Sequence, residues 1–452
     1  MANKFSRISL ILPEIKKLLS ENKKDEIKSL FQEYEPIEIA EMLKNFDLKE
    51  KVYLFSLCNI DLAADIFEKM DKDDQIILIE AIDETRKRNI LDELAPDERV
   101  DFFEELPEEM VARFLNVMKK EEARETRELM RYDKNTAGGR MTTDFAYVKE
   151  NITAKEALNN LRKTAKDLEM VYYIYILSKN NKLVGVVSLK DLVLAEPEKI
   201  INEIMHTKFI TIPVNMDQEQ VAKKIARYDL LALPVVDNGE MKGIITVDDI
   251  IDVIKEENTE DMYKVSAAGK HIKNYMSMRP SFIAKHRVLY LLIFVIMDFF
   301  SGTILKNYSF VVRNAIALSF FIPLLMDTGG NAGTQAATVM VRSLATGEVK
   351  LKDIWKVLRK EFIVGIMVAV ALGIVTLFRA VLLQGNPFVS LTVSLTMIIT
   401  VIIATCLGST LPLFFKRIGV DPALISGPLI TSIVDIISLI AYFEIAIHLL
   451  GS

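Results

Sequence analysis

Asp435 stands in Thr431-Ser-Ile-Val-Asp435-Ile-Ile, a carboxylate inside an apolar run. Ionisable groups within membrane-length apolar segments are costly and usually mark an ion or substrate path. Asp435 therefore calls for a cation, a proton or water; the other reading is a protonated carboxyl bonded to a neighbouring helix. Asp298 interrupts the apolar run 288–305, and Asp327 follows the run 315–326, so both can sit near an interface. Just after Asp327 come Gly329, Gly330, Asn331 and Gly333. Such small residues suit either a broken helix whose carbonyls line a watery path, or close packing between helices.

A second set of acids lies just before this apolar half. Read as a helix, Asp249, Asp252, Glu256 and Glu260 fall at i, i+3, i+7 and i+11, close to one stripe. Like charges one turn apart destabilise a helix, so the stripe needs a partner. Hydrated Mg2+ fits, because a hard cation takes oxygen ligands and keeps its waters. The alternative is an exposed acidic linker.

The elements that position these groups show in three patterns. In residues 25–131, Leu43, Phe67, Leu91 and Leu115 recur every 24 residues, as do Phe46, Met70, Leu94 and Met118, and Phe55, Ile79 and Phe103. That period predicts a small helical solenoid, each unit burying its apolar face on the next. From Met141 to about Ile254 a second duplication appears. Met141-Thr-Thr-Asp-Phe parallels Met205-His-Thr-Lys-Phe, and the run beginning Leu183-Val-Gly-Val-Val-Ser parallels Met241-Lys-Gly-Ile-Ile-Thr. Strands are predicted at 171–177 and 233–236, helices at 154–166 and 218–227, and turns at Asn180-Asn181 and Asn238-Gly239. Five apolar runs follow, at 288–305, 315–326, 362–383, 389–415 and 423–450. They are read as spans against the roughly 18–20 residues a bilayer requires.

The charge divides in the same place. From Arg287 onward 12 Lys/Arg face 8 Asp/Glu, a charge of +4, and the remaining 44 and 54 leave −10 on the preceding part. An acidic half is a poor partner for nucleic acid, which needs a basic patch. Cys58 and Cys406 lie in chemically different halves, so no disulfide framework is expected. His206, His271, His286 and His448 form no zinc-type cluster. The N-terminal stretch carries only a short apolar run, too little for a secretory signal. Arg342, Lys350, Lys352, Lys356, Arg359 and Lys360 lie between the second and third spans, and Lys416 and Arg417 between the fourth and fifth. The positive-inside rule then places the N-terminus in the cytosol and the C-terminus outside.

The duplicated α/β segment resembles a tandem CBS pair, which implies a nucleotide or metal sensor and a dimerisation module. In that family a Gly-x-x-Ser/Thr-x-x-Asp turn offers its Asp to a ribose, and Ser188 and Asp191 fit it in the first repeat. The resemblance implies an adenine nucleotide such as ATP near Tyr173, Ser188, Lys190 and Asp191. Against this, Ser188 is also a natural helix cap, Tyr173 also suits a core, and Lys190 stands where relatives often carry Arg.

Over the whole chain the resemblance is closer. The segment Pro323-Leu-Leu-Met-Asp-Thr-Gly-Gly-Asn-Ala-Gly-Thr-Gln, Asp421-Pro-Ala-Leu-Ile-Ser-Gly-Pro, and the motif ending in Asp435 resemble the MgtE magnesium-channel family. The order of parts is also that family's. The resemblance implies an all-α helical-repeat N domain (1–137), an α/β CBS pair (138–200 and 201–254), a linking helix (255–286) and an α-helical five-span pore domain (287–452). It implies a multi-pass protein of a bacterial-type plasma membrane and a homodimer in the lipid bilayer, with the path between subunits lined by the second and fifth spans. Asp435 would bind a largely hydrated Mg2+. Regulatory Mg2+ would be held by Asp217, Glu219, the Ala226 carbonyl and Asp229, by Asp249, Asp252, Glu257, Glu260 and Asp261, by the Gly138 carbonyl, and by Glu93 and Asp97 of the solenoid. High cytosolic Mg2+ would then close the pore. Co2+, Mn2+ and Ni2+ also accept oxygen ligands.

No nucleophile–base pair, phosphate loop or metal-ligand cluster points to an enzyme. Two other readings stay open at this stage. One is a transporter coupled to H+ or Na+. The other is a membrane-anchored nucleotide sensor that moves no ion, which leaves Asp435 without a purpose.

Overall fold

A computed structural model of the chain describes residues 4–165, 168–265, 279–384, 386–422 and 427–450. The chain divides into two compact units, Met1–Ile254 and Lys255–Ser452.

The first unit opens with ten helices: α1 (Lys4–Ser20), α2 (Lys24–Phe31), α3 (Pro36–Leu43), α4 (Leu48–Leu57), α5 (Ile60–Glu68), α6 (Lys72–Ala81), α7 (Glu84–Glu93), α8 (Pro96–Phe103), α9 (Glu108–Val117) and α10 (Lys120–Leu129). The starts of α3, α5, α7 and α9 are 24 residues apart, and so are those of α2, α4, α6, α8 and α10. Each period is thus a pair of short helices. Every residue of the three periodic series is buried. They join one continuous core, tied by ring contacts among Phe67, Phe102, Phe103 and Phe114. Short polar side chains start several of these helices. Asp47, Asn59 and Asp83 accept hydrogen bonds from the Glu50, Leu62 and Arg86 amides, satisfying donors that a helix start leaves open.

Two α/β repeats complete this unit. The first runs β1 (Phe145–Lys149), α11 (Ala154–Thr164), β2 (Met170–Leu177), β3 (Leu183–Ser188) and α12 (Leu189–Leu194). After α13 (Ile201–Ile204) the second runs β4 (Ile212–Pro213), α14 (Gln218–Tyr228), β5 (Ala232–Asp237), β6 (Glu240–Thr246) and α15 (Val247–Val265). Each sheet has one parallel and one antiparallel pairing, β1-β2-β3 and β4-β5-β6. Asn238 and Gly239 both have positive φ, as a tight two-residue hairpin requires.

The repeats exchange their leading segments. Thr142 pairs with Ile244 of β6 through two 2.9 Å backbone bonds, and His206 pairs with Val186 of β3 in the same manner. Gly243 and Gly185 make room for this. A Cβ on Gly243 would come 2.4 Å from the Thr142 carbonyl oxygen, and one on Gly185 would come 2.5 Å from the Met205 sulfur.

The second unit contains α16 (Pro280–Asn307), α17 (Ser309–Asn314), a 3-10 turn over Ile316–Phe321, α18 (Ile322–Ala345), a 3-10 turn over Leu351–Asp353, α19 (Ile354–Gln384), α20 (Pro387–Arg417) and α21 (Gly427–Leu450). Helices α16, α19, α20 and α21 are long and apolar enough to cross a membrane. The second expected span, α18, has 24 residues, roughly 36 Å, but is less apolar because it carries Asp327, Asn331 and several threonines. It packs on α20 and α21, while α19 packs on α20 and α16 on α21. The expected linking helix at 255–286 runs into residues 266–278, which lie outside the described residues, as does part of the Asp421 motif.

Candidate functional site

Asp435 sits on α21, about 12 Å along the axis from Gly427. It is 8% exposed, between buried Ser432, Val434 and Ser438. Its Oδ1 is removed from solvent and has no hydrogen-bond partner. An orphaned carboxylate oxygen is expensive to bury, so the position suits a visiting cation. The charges that act on it belong to Asp298 of α16 and Asp327 of α18.

Helix α18 is unbroken through Gly329, Gly330, Asn331 and Gly333, so of the two expectations for this stretch the structure adopts close packing. A Cβ on Gly329 would lie 2.6 Å from a Thr400 methyl and 2.9 Å from Val434; on Gly330, 2.7 Å from Thr431; on Gly333, 2.8 Å from Ile430. The glycines bring α18 against α20 and against the stretch of α21 that carries Asp435. Gly408 of α20 completes the contact, because a Cβ there would lie 2.1 Å from the Gly333 carbonyl oxygen. Asn331 instead faces out. With Asp327, Thr334 and Thr338 it forms a polar stripe at i, i+4, i+7 and i+11, exposed apart from the half-buried Thr334.

In the same unit the end of α15 is tied to the loop before α21. Lys264 Nζ is 2.7 Å from Asp421 Oδ2 and 2.9 Å from Glu260 Oε1. Glu257 and Asp261 are half-buried on the same helix. The sequence reading had Glu260 as a metal ligand and missed Lys264, whose spacing of four from Glu260 was the available signal.

A second carboxylate centre lies in the first unit. Asp97, in the first turn of α8, has its Oδ1 removed from solvent without a partner. Its carboxyl is driven well above the usual range by burial, then by Asp249 and Glu169. Asp249, in the first turn of α15, is pushed up to about 6 by burial, although the Thr246 hydroxyl donates to it. Glu98 is pushed up to about 8 by burial and then by Glu68. Glu169, exposed as a whole residue, is pushed up to about 7 by burial around its carboxyl and then by Asp249. The sequence had pointed to Asp97 and Asp249; Glu98 follows Asp97 directly in the first turn of α8, and Glu169, which it had not singled out, comes from the distant segment before β2. Arg140 holds the parts together, with Nη1 3.2 Å from Asp101 and Nε donating to Gln218 at 3.0 Å.

Beside this junction a cavity of about 830 Å3 is lined by ten carboxylates, Glu93 and Glu169 among them, against only Arg99 and Lys119. Arg99 is already engaged with Glu122 at 2.7 Å. The space is therefore cation-seeking. Among the described residues no three ligating side chains converge closely enough to hold a bare metal ion. A cation that keeps part of its water shell needs no such convergence, because water supplies its remaining ligands.

The other expected regulatory residues are scattered. Asp217 caps α14, accepting from the Glu219 and Gln220 amides, and Glu219 is paired with Lys223 at 2.6 Å. Ala226 and Asp229 are exposed at the opposite end of that helix, roughly 16 Å away, so these two pairs cannot hold one ion within a single chain. Asp252 is exposed on α15. Gly138 is buried, with its amide donating to the Val214 carbonyl at 2.8 Å.

In the first α/β repeat Ser188 caps α12, and its hydroxyl donates to Asp191 Oδ2 at 2.6 Å. That bond, and His206 Nε2 at 3.2 Å, hold the Asp191 carboxyl below its usual range. Tyr173, half-buried on β2, is the strand partner of Ser188, and Lys190 is exposed. The structure thus brings Tyr173, Ser188 and Asp191 together and adds His206, which sequence reading missed.

Residues 34–135 match the family model described as the MgtE intracellular N domain, 137–198 and 201–256 match CBS domains, and 322–445 match MgtE, a divalent cation transporter. The magnesium transporter MgtE of Bacillus subtilis is 32% identical over 430 residues, 95% of each chain. That of Thermus thermophilus is 38% identical over 323 residues, 71% of this chain and 72% of its own. A crystal structure of the soluble part of a magnesium transporter aligns with a TM-score of 0.53 at 32% identity, covering 55% of this chain and 99% of its own. The cytosolic domain of the Mg2+ channel MgtE in complex with ATP aligns at 0.51 and 31%, covering 54% and 99%. The matched regions, taken in order, are those of a cation transporter that carries its own CBS pair. The chain belongs to the MgtE family of magnesium transporters.

Proposed function

We propose that this chain conducts Mg2+ down its electrochemical gradient and is closed by Mg2+ on its N-terminal side. The carrying observation is Asp435, a buried carboxylate on an apolar helix with one oxygen left without a partner. The polar stripe of α18 supports the same reading, since lipid would leave it unsolvated. A second copy about a two-fold axis would enclose the stripe in a watery path and double Asp435. That homodimer, with 1–137, 138–200, 201–254, 255–286 and 287–452 as its parts, belongs to the proposal, as does an N-terminus in the cytosol of a bacterial-type cell. Mg2+ crosses with much of its hydration shell, and Co2+, Mn2+ and Ni2+ are chemically admissible.

Closure uses the acids of the first unit together with those at the end of α15. Two carboxylates about 4 Å apart repel by about 4 kcal/mol at an effective dielectric near 20. Mg2+ between the solenoid, the CBS pair and α15 relieves that repulsion, so the ion favours the compact state. An effector shifts an equilibrium only by its differential affinity for the two states. Asp249, Asp252, Glu257, Glu260 and Asp261 on α15, with Glu93 and Asp97, are the assigned contacts, and Asp217, Glu219, Ala226, Asp229 and Gly138 are secondary ones. An adenine nucleotide, ATP by analogy with the relative, is assigned to Tyr173, Ser188, Lys190 and Asp191.

The test is Mg2+ uptake by proteoliposomes as internal Mg2+ is varied. Asp435→Ala should reduce uptake to background. Neutralising Asp249, Asp252 and Glu260 together should leave uptake intact but insensitive to internal Mg2+. Undiminished uptake in Asp435→Ala would overturn the ion path, and a dependence on a pH or Na+ gradient would replace the channel with a coupled transporter.

A further inference from the structure

Helix α19 carries a surface that the ion path does not use. At about 100° per residue, Ile363, Met367, Val370 and Ile374 fall on one line, and all are exposed, Met367 at 69% and Ile374 at 64%. These are side chains suited to acyl chains. Followed back toward the start of the helix, the same line passes through Arg359, Lys356 and, in the preceding turn, Lys352, all exposed. Trp355 lies on its flank, 78% exposed, and is the single tryptophan of the chain.

The cations on this line are largely uncommitted. Lys356 is 3.0 Å from Asp353, whose other oxygen accepts from the Lys350 amide. Lys352, Arg359 and Lys360 enter no ion pair among the described residues. The ends of α18 and α20 converge on the same region, where Met340, Leu344, Val357 and Leu413 form one apolar cluster and Lys416 Nζ donates to the Leu344 carbonyl at 3.2 Å. Arg342 and Arg417 add exposed positive charge there. The half-buried Glu361 is the nearest opposing acid on the helix itself.

We infer that this face of α19 is a docking site for an anionic phospholipid. The phosphate lies against Lys352, Lys356 and Arg359, the tails run along Ile363, Met367 and Ile374, and Trp355 sits level with the cations in the headgroup region, where amphipathic rings concentrate. Polybasic segments beside a membrane helix attract anionic headgroups by about this geometry. A second copy of the chain is the poorer occupant. A two-fold contact would set each of these cations against its own copy, with only Asp353 among them to offset the charge.

Trp355 supplies the readout. Full-length protein is placed in bilayers containing either phosphatidylglycerol or phosphatidylcholine, each with the same tails brominated next to the ester carbonyls, and quenching of tryptophan fluorescence gives their relative affinity for the site. The expected result is a preference on the order of ten-fold for phosphatidylglycerol, weakening with salt. The triple change Lys352→Gln, Lys356→Gln and Arg359→Gln should bring the ratio close to one. These residues are exposed, and unchanged Mg2+ uptake by the variant certifies its fold. Equal quenching by both lipids in the wild type overturns the inference. So does quenching by neither, which would mean that protein covers Trp355. So does a preference that survives the triple change.

Discussion

The two CBS repeats carry the same turn, Gly-x-x-Ser/Thr-x-x-Asp, with opposite consequences. In the first, Ser188 donates to Asp191, His206 adds a second bond, and the carboxyl is held below its ordinary range with 41% of its side chain open to solvent. In the second, Thr246 donates to Asp249 in the same way. Burial, with Asp248 and Asp101 nearby, nevertheless pushes that carboxyl up to about 6, and Asp249 is the strongest charge acting on the buried carboxyl of Asp97. The local motif is therefore neutral as to function. What lies over it decides: an open, fully charged Asp can receive hydroxyl donors, whereas a covered Asp facing other acids must find a proton or a metal ion. One duplicated turn thus leaves an open, charged carboxylate in the first repeat and a covered carboxyl among other acids in the second.

The contrast can be broken in four ways. The largest effect is expected from removing the covered charges. Asp97→Asn should stabilise the Mg2+-free protein by on the order of 2 kcal/mol and abolish most of the thermal shift that Mg2+ produces. Asp191→Asn should lower stability slightly, since it loses charge-assisted bonds, and should leave the thermal shift unchanged. A lowered melting temperature for Asp97→Asn without Mg2+ would show that its carboxylate is satisfied after all.

Next comes pH. Asp97, Glu98, Glu169 and Asp249 all have raised carboxyls in the folded state. The folded form therefore holds protons that the unfolded chain has released. Their stabilising contribution is complete below about pH 4 and is lost over the range that runs from there to the values of about 6, about 7 and about 8 of Asp249, Glu169 and Glu98, because stability falls wherever the folded state binds more protons. Melting temperature in EDTA should drop across that range and be flatter in saturating Mg2+. Mg2+ binding should also release protons, detectable by calorimetry in buffers of different ionisation enthalpy.

The third test uses the paired glycines. Gly243→Ala drives a methyl into the Thr142 backbone carbonyl, which cannot move without breaking the exchanged pairing. Gly185→Ala meets the flexible end of Met205. We expect a loss of about 1–2 kcal/mol for the first and less than about 1 kcal/mol for the second by chemical denaturation. Equal losses would mean that the two exchanges are equally soft. The smallest effect belongs to nucleotide affinity. Asp191→Ala should weaken ATP binding about ten-fold, one lost charge-assisted bond, and Asp249→Ala should leave it unchanged in titrations with labelled nucleotide.

What the sequence disclosed follows from distance along the chain. The 24-residue series placed Leu43, Phe67, Leu91 and Leu115 correctly inside, because a solenoid contact depends on the neighbouring repeat. The hairpin at Asn238-Gly239 and the helix over 218–227 were equally local. The acidic stripe of α15 pointed to a need for cations, but Glu169 could not be named as a neighbour of Asp249, since the distant segment before β2 brings it there. The glycines after Asp327 were legible as small residues, but not as an unbroken packing seam, because Thr400, Ile430 and Val434 supply the opposing surface. Hydropathy also undervalued α18, whose polar stripe is the feature that suits it to an ion path. His206 went unseen beside Asp191 because it arrives through the exchanged leading segment.

That exchange makes the duplication indivisible. Each half has the edge of its sheet closed by a single bridging residue of the other, as two clasped hands share their fingers. Residues 138–200 expressed alone would expose the edge of β3 that His206 covers, and residues 201–254 would expose the edge of β6 that Thr142 covers. Open strand edges invite pairing with other chains. Either fragment should therefore aggregate or dimerise, and co-expression of the two should restore a soluble one-to-one complex.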